Sequence, residues 1–461
     1  MFAIWISTLP QTYRDAVRVA RTLKIRSLWD DSLCIVQDDP GDWSVEASKM
    51  ADVYEGSYFT IAASSSPDGH GGLFLDSIAP ATRMDLQREG QSSGADTNDT
   101  VGTDSTDIKT CYLRYPLASS DMVRNGPLSG RAWVFQEQIL STRLVHFTER
   151  QMFFQCTAGL TSEDGVLVDE KYPLPARSRE STGWKWERGY NWSALVTEYC
   201  QRSITRDSDR MAAMAGIIKA FSQRVGGKSA LGLWEDTIWM DLGWYSLHAW
   251  DHRTDFEDPS LRRLPSWSWF SMKRRYISTL WELAKTASDA TVLPTLEDNK
   301  YDQAQLVEFI AIWEGPEYSS TLLSSKLVIS APIKALEIDI PQYPSYFYRS
   351  KVDNILDTRM GSGDGDPPGL FIHLDGPLKQ ADFESIFLLK LYTVKCKYSR
   401  SEKDDFVLLL RKEGSPQAPG YRLLGAGHLA QPELPPFIPW NTLHFSKLFA
   451  VRCFNFAFFV F

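Results

Sequence analysis

Paired cysteines are absent from this sequence. Only 6 cysteines occur in 461 residues, none in a CxxC and none clustered with histidine. That excludes a finger-type zinc site, gives a disulfide framework no support, and leads us to expect no metal centre. Basic blocks are missing too: Lys+Arg 49 against Asp+Glu 58 leaves a net charge of −9, with no run of five or more basic residues. A nucleic-acid binder draws its affinity from Lys and Arg neutralising phosphates, so nucleic acid is not an expected partner. No apolar run is long enough to cross a bilayer, since Leu448 to Phe461 is short and interrupted by Arg452. The opening MFAIWISTLP lacks the basic start and small-residue cleavage site of a signal peptide. A cytoplasmic chain without a membrane span is the resulting expectation. HExxH, GxSxG and HxH are all absent. Gly226-Gly227-Lys228-Ser229 ends like a phosphate-binding P-loop, but Ser222 stands where that motif needs glycine and no strand precedes it.

Large rings are plentiful, with 16 Trp and 24 Phe, and the length suggests two to three domains. Ala16, Val17, Ala20 and Leu23 recur at helical spacing behind Thr8 as N-cap and Pro10 in the first turn. Ile25 to Trp29 reads as a buried strand. Asp39-Pro40 then opens a helix with Trp43, Ala47, Met50, Ala51 and Tyr54 on one stripe: Asp39 accepts free N–H groups and Pro40 has none to lose. Tyr58 to Ala63 reads as a second strand. This rhythm predicts an α/β domain with a mainly parallel sheet over 1–157, carrying a disordered insertion at 88–110. Ser129 is expected to cap a helix through Gln136, and Leu144–Phe147 with Met152–Cys156 reads as a hairpin. A helical, Trp-rich region is expected over 158–275, in which LPSWSWFSM (264–272) alternates like a strand. A β-rich region follows over 276–461, with a linker at 360–368.

The segment LWDDSLCIVQDDPGDWSVEASKMADVYEGSYFTIAASSSPDGHGGLF (28–74) resembles the fungal heterokaryon-incompatibility (HET) domain. Arg131 to Glu137 (RAWVFQE) is similar to a second block of that family. Ser208-Asp209-Arg210, Gly232-Leu233-Trp234 and Pro265 to Trp269 resemble the region that accompanies it. The family's opening Y-V-A-L-S-Y-C-W-G strand has no counterpart here, and the final residues depart from its ending. A truncated or mis-spliced gene product would explain both. The resemblance implies an allorecognition and innate-immune effector that promotes programmed cell death through protein partners or self-association.

The HET family is similar in fold to Toll/interleukin-1-receptor-like (TIR) domains, some of which cleave NAD. The resemblance then implies that Glu46, three residues after Trp43 and on the same helix face, could be a catalytic carboxylate stabilising oxocarbenium-like charge. NAD would be a substrate on that reading, and no bound cofactor is expected. The architectural alternative is that Glu46 merely complements the helix dipole. Asp31 and Ser32 follow the expected strand and would point into a ligand crevice beyond its carboxyl end. Asp31 serves equally well as a local turn cap. Arg131 is either a ligand clamp or a structural partner of Glu137 across Trp133. Cys34 reads as an inert core thiol, and His146 as facing outward or as a satisfied core group. Three functions therefore stand side by side: a cell-death effector, an NAD-cleaving hydrolase, and an inactive paralogue.

Overall fold

The computed structural model describes residues 4–74, 82–87, 108–113, 120–169, 184–246, 264–272, 277–279, 295–296, 304–336, 355–357, 370–374, 386–395, 403–415, 418–431, 453–454 and 457–458. The helices are α1 (Gln11–Thr22), α2 (Asp31–Cys34), α3 (Pro40–Gly56), α4 (Asp121–Arg124), α5 (Ala132–Leu140), α6 (Trp184–Cys200), α7 (Ala212–Val225) and α8 (Ile238–Asp241). Strands β1 (Thr60–Ala62), β2 (Thr82–Gln87), β3 (Ile108–Leu113), β4 (Arg143–Phe147), β5 (Met152–Cys156), β6 (Gly159–Ser162) and β7 (Leu167–Asp169) occupy the first third. Later come β8 (Ser229–Ala230), β9 (Leu233–Trp234), β10 (Trp244–Ser246), β11 (Ile277–Thr279), β12 (Thr295–Leu296), β13 (Gln305–Trp313), β14 (Leu322–Ser330) and β15 (Ile333–Leu336). The series closes with β16 (Ile355–Asp357), β17 (Leu370–Leu374), β18 (Ile386–Lys395), β19 (Lys403–Ser415) and β20 (Ala418–Gln431), apart from two short strands in the tail. No helix among the described residues is long and apolar enough to cross a membrane.

The chain divides into two units. The first comprises Met1–Leu28, Tyr58–Ser129 and Thr142–Tyr172. Its sheet runs β1-β4-β5-β6-β7, with β1 parallel to β4 and the remaining pairs antiparallel. The mixed α/β character is as expected, but the sheet is not mainly parallel. Ile25 to Trp29, expected to be a strand beside β1, is irregular. Arg26 and Ser27 break its apolar run, whereas a strand buried on both faces needs a near-continuous one. β3 also begins inside the segment expected to be a disordered insertion, while 88–107 lies outside the described residues. Pro10, not Thr8, takes the N-cap position of α1.

The buried Asp15 of α1 accepts from the backbone N–H of Leu73 at 3.0 Å and from Gln11 Nε2 at 2.8 Å, which fastens the 64–72 loop to the helix. Gly72 has φ +82°, and a Cβ there would lie 2.8 Å from Asp15 Oδ2, so glycine is required on both counts. His146 on β4 is fully buried, with Nδ1 2.9 Å from Ser64 Oγ and Nε2 3.1 Å from Gln155 Oε1. It is the satisfied core group, not the outward-facing one.

The second unit comprises Trp29–Ser57, Gly130–Ser141 and Pro173–Phe461. Helices α3, α5 and α7 pack together, and α7 buries the stripe Met214, Ile217, Ile218 and Phe221. Asp39 caps α3 as its sequence dictates, Oδ1 accepting from the N–H of Gly41 and Asp42. Arg131, not Ser129, occupies the N-cap of α5; Ser129 Oγ instead donates to the Gly126 carbonyl. Leu231 (φ 50°) and Gly232 (φ 85°) form the two-residue turn between β8 and β9. The Gly232 carbonyl accepts from both Trp192 Nε1 and Trp269 Nε1 at 2.8 Å. A Cβ on Gly232 would meet Phe270 and Trp269 at 2.8 Å, so only glycine admits these two rings.

LPSWSWFSM is not a strand but a turn and a short 3-10 helix at Trp269–Ser271. Its alternation arises because Ser268 accepts locally from Phe270 N–H, and also donates to the distant Leu231 carbonyl, between two fully buried tryptophans. The C-terminal part is β-rich as expected. An antiparallel sheet runs β12-β18-β19-β20-β17-β16, with β15 also on β18, and β13 and β14 form a separate hairpin. The expected linker at 360–368 lies outside the described residues.

Burial pushes the His146 ring down to about 4 from its ordinary 6.5, the bond to Gln155 opposing only in part. Because the folded value is depressed, the neutral ring's full contribution to stability is present above about pH 6.5 and is lost as the pH falls through about 4. Urea unfolding of wild type should weaken between about pH 7 and pH 5 by on the order of 2 kcal/mol more than that of His146→Gln. Equal pH dependence in the two proteins would contradict this assignment.

Candidate functional site

The site is built in the second unit from three local structures. Asp30 caps α2: its Oδ1 accepts from the Ser32 N–H at 3.0 Å and from Ser32 Oγ at 2.5 Å. Ser32 is spent on that cap, and Asp31 adds a second acceptor to the Ser32 N–H at 2.8 Å. Tyr54 lies in the last turn of α3, where Trp29 packs edge-on to its ring at 5.8 Å. Glu137 lies on α5, whose first turn is fixed by Ala132 N–H donating to the Ser203 carbonyl at 2.8 Å.

These pieces converge on Glu137. The Tyr54 hydroxyl donates to its carboxylate, and Asp31, Arg131 and Asp30 act on it through space. Loss of hydration on burial, reinforced by the Asp31 charge, raises the Glu137 carboxyl to about 7; Arg131 and the Tyr54 hydrogen bond hold it from rising further. Tyr54 is raised well above its ordinary value by burial and by the Glu137 charge. Asp30 is raised by burial against the opposing bond from Ser32. Arg202 closes the far side, 4.6 Å over the Phe135 ring and hydrogen-bonded to Gln138 and Glu198. Burial lowers its guanidinium, an effect opposed by Glu198 and Glu137. A half-buried carboxyl near neutrality, between a phenol, two aspartates and an arginine, can give or take a proton at working pH.

The structure thus gathers two of the sequence's candidates, Asp31 and Arg131, around Glu137. Glu46 lies elsewhere on α3, ion-paired to Lys49 one turn on at 2.7 Å, and is not among the groups acting on Glu137. Trp43 packs edge-on to Trp133 at 6.1 Å, and Trp133 donates to Asp209. Arg131 itself is exposed. Cys34, expected in the core, is an exposed thiol at the end of α2. Tyr54, read only as part of an apolar stripe, and Arg202 were not identified from sequence as site groups. The signal for Tyr54 was a polar tip ending an otherwise apolar helix face. Among the described residues no three His, Cys, Asp or Glu side chains gather as a metal ion would require.

Residues 2–137 match the model of the heterokaryon incompatibility protein (HET) family, a stretch that includes Asp30, Asp31, Tyr54, Arg131 and Glu137. No curated protein and no solved structure matches the chain.

With a folded value raised above its ordinary 4.5, the Glu137 contribution to stability is complete below about pH 4.5 and is lost as pH rises through about 7. Glu137→Gln keeps an acceptor for Tyr54 but cannot ionise. Relative to wild type it should gain about 1–3 kcal/mol of unfolding free energy between about pH 5 and pH 8, measured by urea titration.

Proposed function

We propose, from the match of residues 2–137, that this HET-domain protein is an allorecognition and innate-immune effector whose HET domain promotes programmed cell death when unlike fungal individuals fuse. That match is the observation that carries the reading. In support, Asp31, Tyr54, Arg131 and Glu137 all fall within the matched residues. On this reading the protein acts in the cytoplasm by assembling with protein partners or with itself. The net charge of −9 favours such partners over nucleic acid.

Cleavage of NAD in the manner of TIR-like enzymes is the second reading. It rests on Glu46, whose side chain is 25% exposed and is oriented by Lys49. A carboxylate so placed can stabilise positive charge on a ribose as its base departs.

Inducible expression of the full chain in a fungal host is the test. Killing is expected, and Arg131→Ala and Glu137→Gln should each reduce it by at least about tenfold in surviving colonies while leaving protein levels unchanged. Undiminished survival with the wild-type chain would overturn the effector reading and favour an inactive copy. If Glu46→Gln kills as well as wild type while cellular NAD stays constant, the enzymatic reading fails.

A further inference from the structure

A groove of about 700 Å³ opens in the second unit between α7, the loop 227–229 and β13. Its size is that of a small-molecule site. Three consecutive strand residues, Phe309, Ile310 and Ala311, line it. Successive side chains of a strand point to opposite faces, so a cavity touching three in a row runs along the strand's edge. Among the described residues β13 pairs only with β14, which leaves that edge's outward N–H and C=O groups turned to the groove.

The opposite wall carries charge. Lys219 is half-exposed and paired to Asp52 at 2.7 Å. Lys228 is exposed, with no carboxylate at ion-pair distance among the described residues. Glu235 and Glu317 stand on the lining as well. The wall is held in place by Tyr318, a buried non-glycine residue at φ 66°. Its hydroxyl lies 2.8 Å from Ser229 Oγ and accepts from the N–H groups of Gly232 and Leu231. Left-handed backbone at a bulky residue costs about 1–3 kcal/mol and persists where the surroundings over-determine it.

We propose that this groove binds a nucleoside phosphate. Ile218 and Phe309 offer an apolar wall to a planar base, and the edge of β13 that no described strand covers offers the alternating donors and acceptors that read a base edge. Glu235 and Glu317 accept from the ribose diol, a role acidic residues fill in nucleotide sites. Lys228 and Lys219 take the phosphate as point charges. The loop follows the C-terminus of α7, whose carbonyl end opposes an anion. Phosphate binding therefore rests on the ammonium groups alone and is strongly salt-dependent.

Calorimetric titration of the full chain with ADP, adenosine and inorganic phosphate tests the assignment. ADP should bind at least about tenfold more tightly than either fragment. Lys228→Ala, at an exposed position whose folding is checked by circular dichroism, should weaken ADP about tenfold, leave adenosine unchanged and flatten the salt dependence. No ADP binding, ADP binding indifferent to Lys228→Ala, or phosphate binding as tightly as ADP would each overturn the assignment. None of these readouts depends on cell killing, so the groove and the effector function stand or fall separately.

Discussion

The helical part of the second unit depends on the close approach of three helices at Gly216. A Cβ at that position would come within 2.7 Å of Gln136 Oε1, 2.8 Å of Ala51 Cβ and 2.8 Å of Leu140 Cδ1. α7 can meet α3 and α5 so nearly because the contact is made by small residues, Ala51 of α3 lying against Gly216 of α7. The fully buried Gln136 locks the rotation of α5 by accepting from the Gly216 N–H at 2.7 Å. Its neighbour Glu137 is then turned about 100° round the helix, while Tyr54 lies one turn beyond Ala51. The carboxyl and the phenol meet because Gln136 and Gly216 have already fixed the helices that bear them.

Three buried polar arrangements show different answers to one energetic problem, the cost of removing charge from water. His146 remains neutral, its two ring nitrogens satisfied by Ser64 and Gln155. Lys390 and Asp405 are paired within the C-terminal sheet, 3.0 Å apart, with Thr393 donating to Asp405 at 2.6 Å. Glu137 does neither. Arg131 and Tyr54 keep ionisation within reach of neutral pH, and burial, reinforced by Asp31, prevents it from being complete. An architectural pair has no need of that balance, since a neutral glutamine or a closer arginine would be more stable. The retained frustration sets Glu137 apart from the other two.

Much of this was legible wherever the governing chemistry is local. Asp39-Pro40 set the start of α3 because a cap bonds to its own next residues. The hairpin of β4 and β5 followed from alternation and turn residues. Local bonding also misled: in LPSWSWFSM it made a turn out of a pattern with the period of a strand, and in Asp30-Asp31-Ser32 it began a helix at the end of an expected strand. The convergence on Glu137 could not be read in advance. It joins α2, α3 and α5 through tertiary contact, and periodicity marks which helix face is buried without saying what that face meets.

α3 contributes to both sites, yet from different sides. Ser48 lines the groove, and Asp52 holds the groove's Lys219. Tyr54 serves Glu137. Residues two apart on a helix do not face each other, so Asp52 and Tyr54 project from opposite sides of the axis. Tyr54 ends the stripe of Ala47, Met50 and Ala51, which is buried and close-packed and makes α3 a fixed strut and not a hinge. A phosphate that drew Lys219 away from Asp52 would free one exposed carboxylate, and water and salt screen such a charge strongly within about 10 Å. Occupancy of the groove would then alter the ionisation of Glu137 only weakly, so any stronger coupling between the two would have to come from movement of α7 against the contact at Gly216.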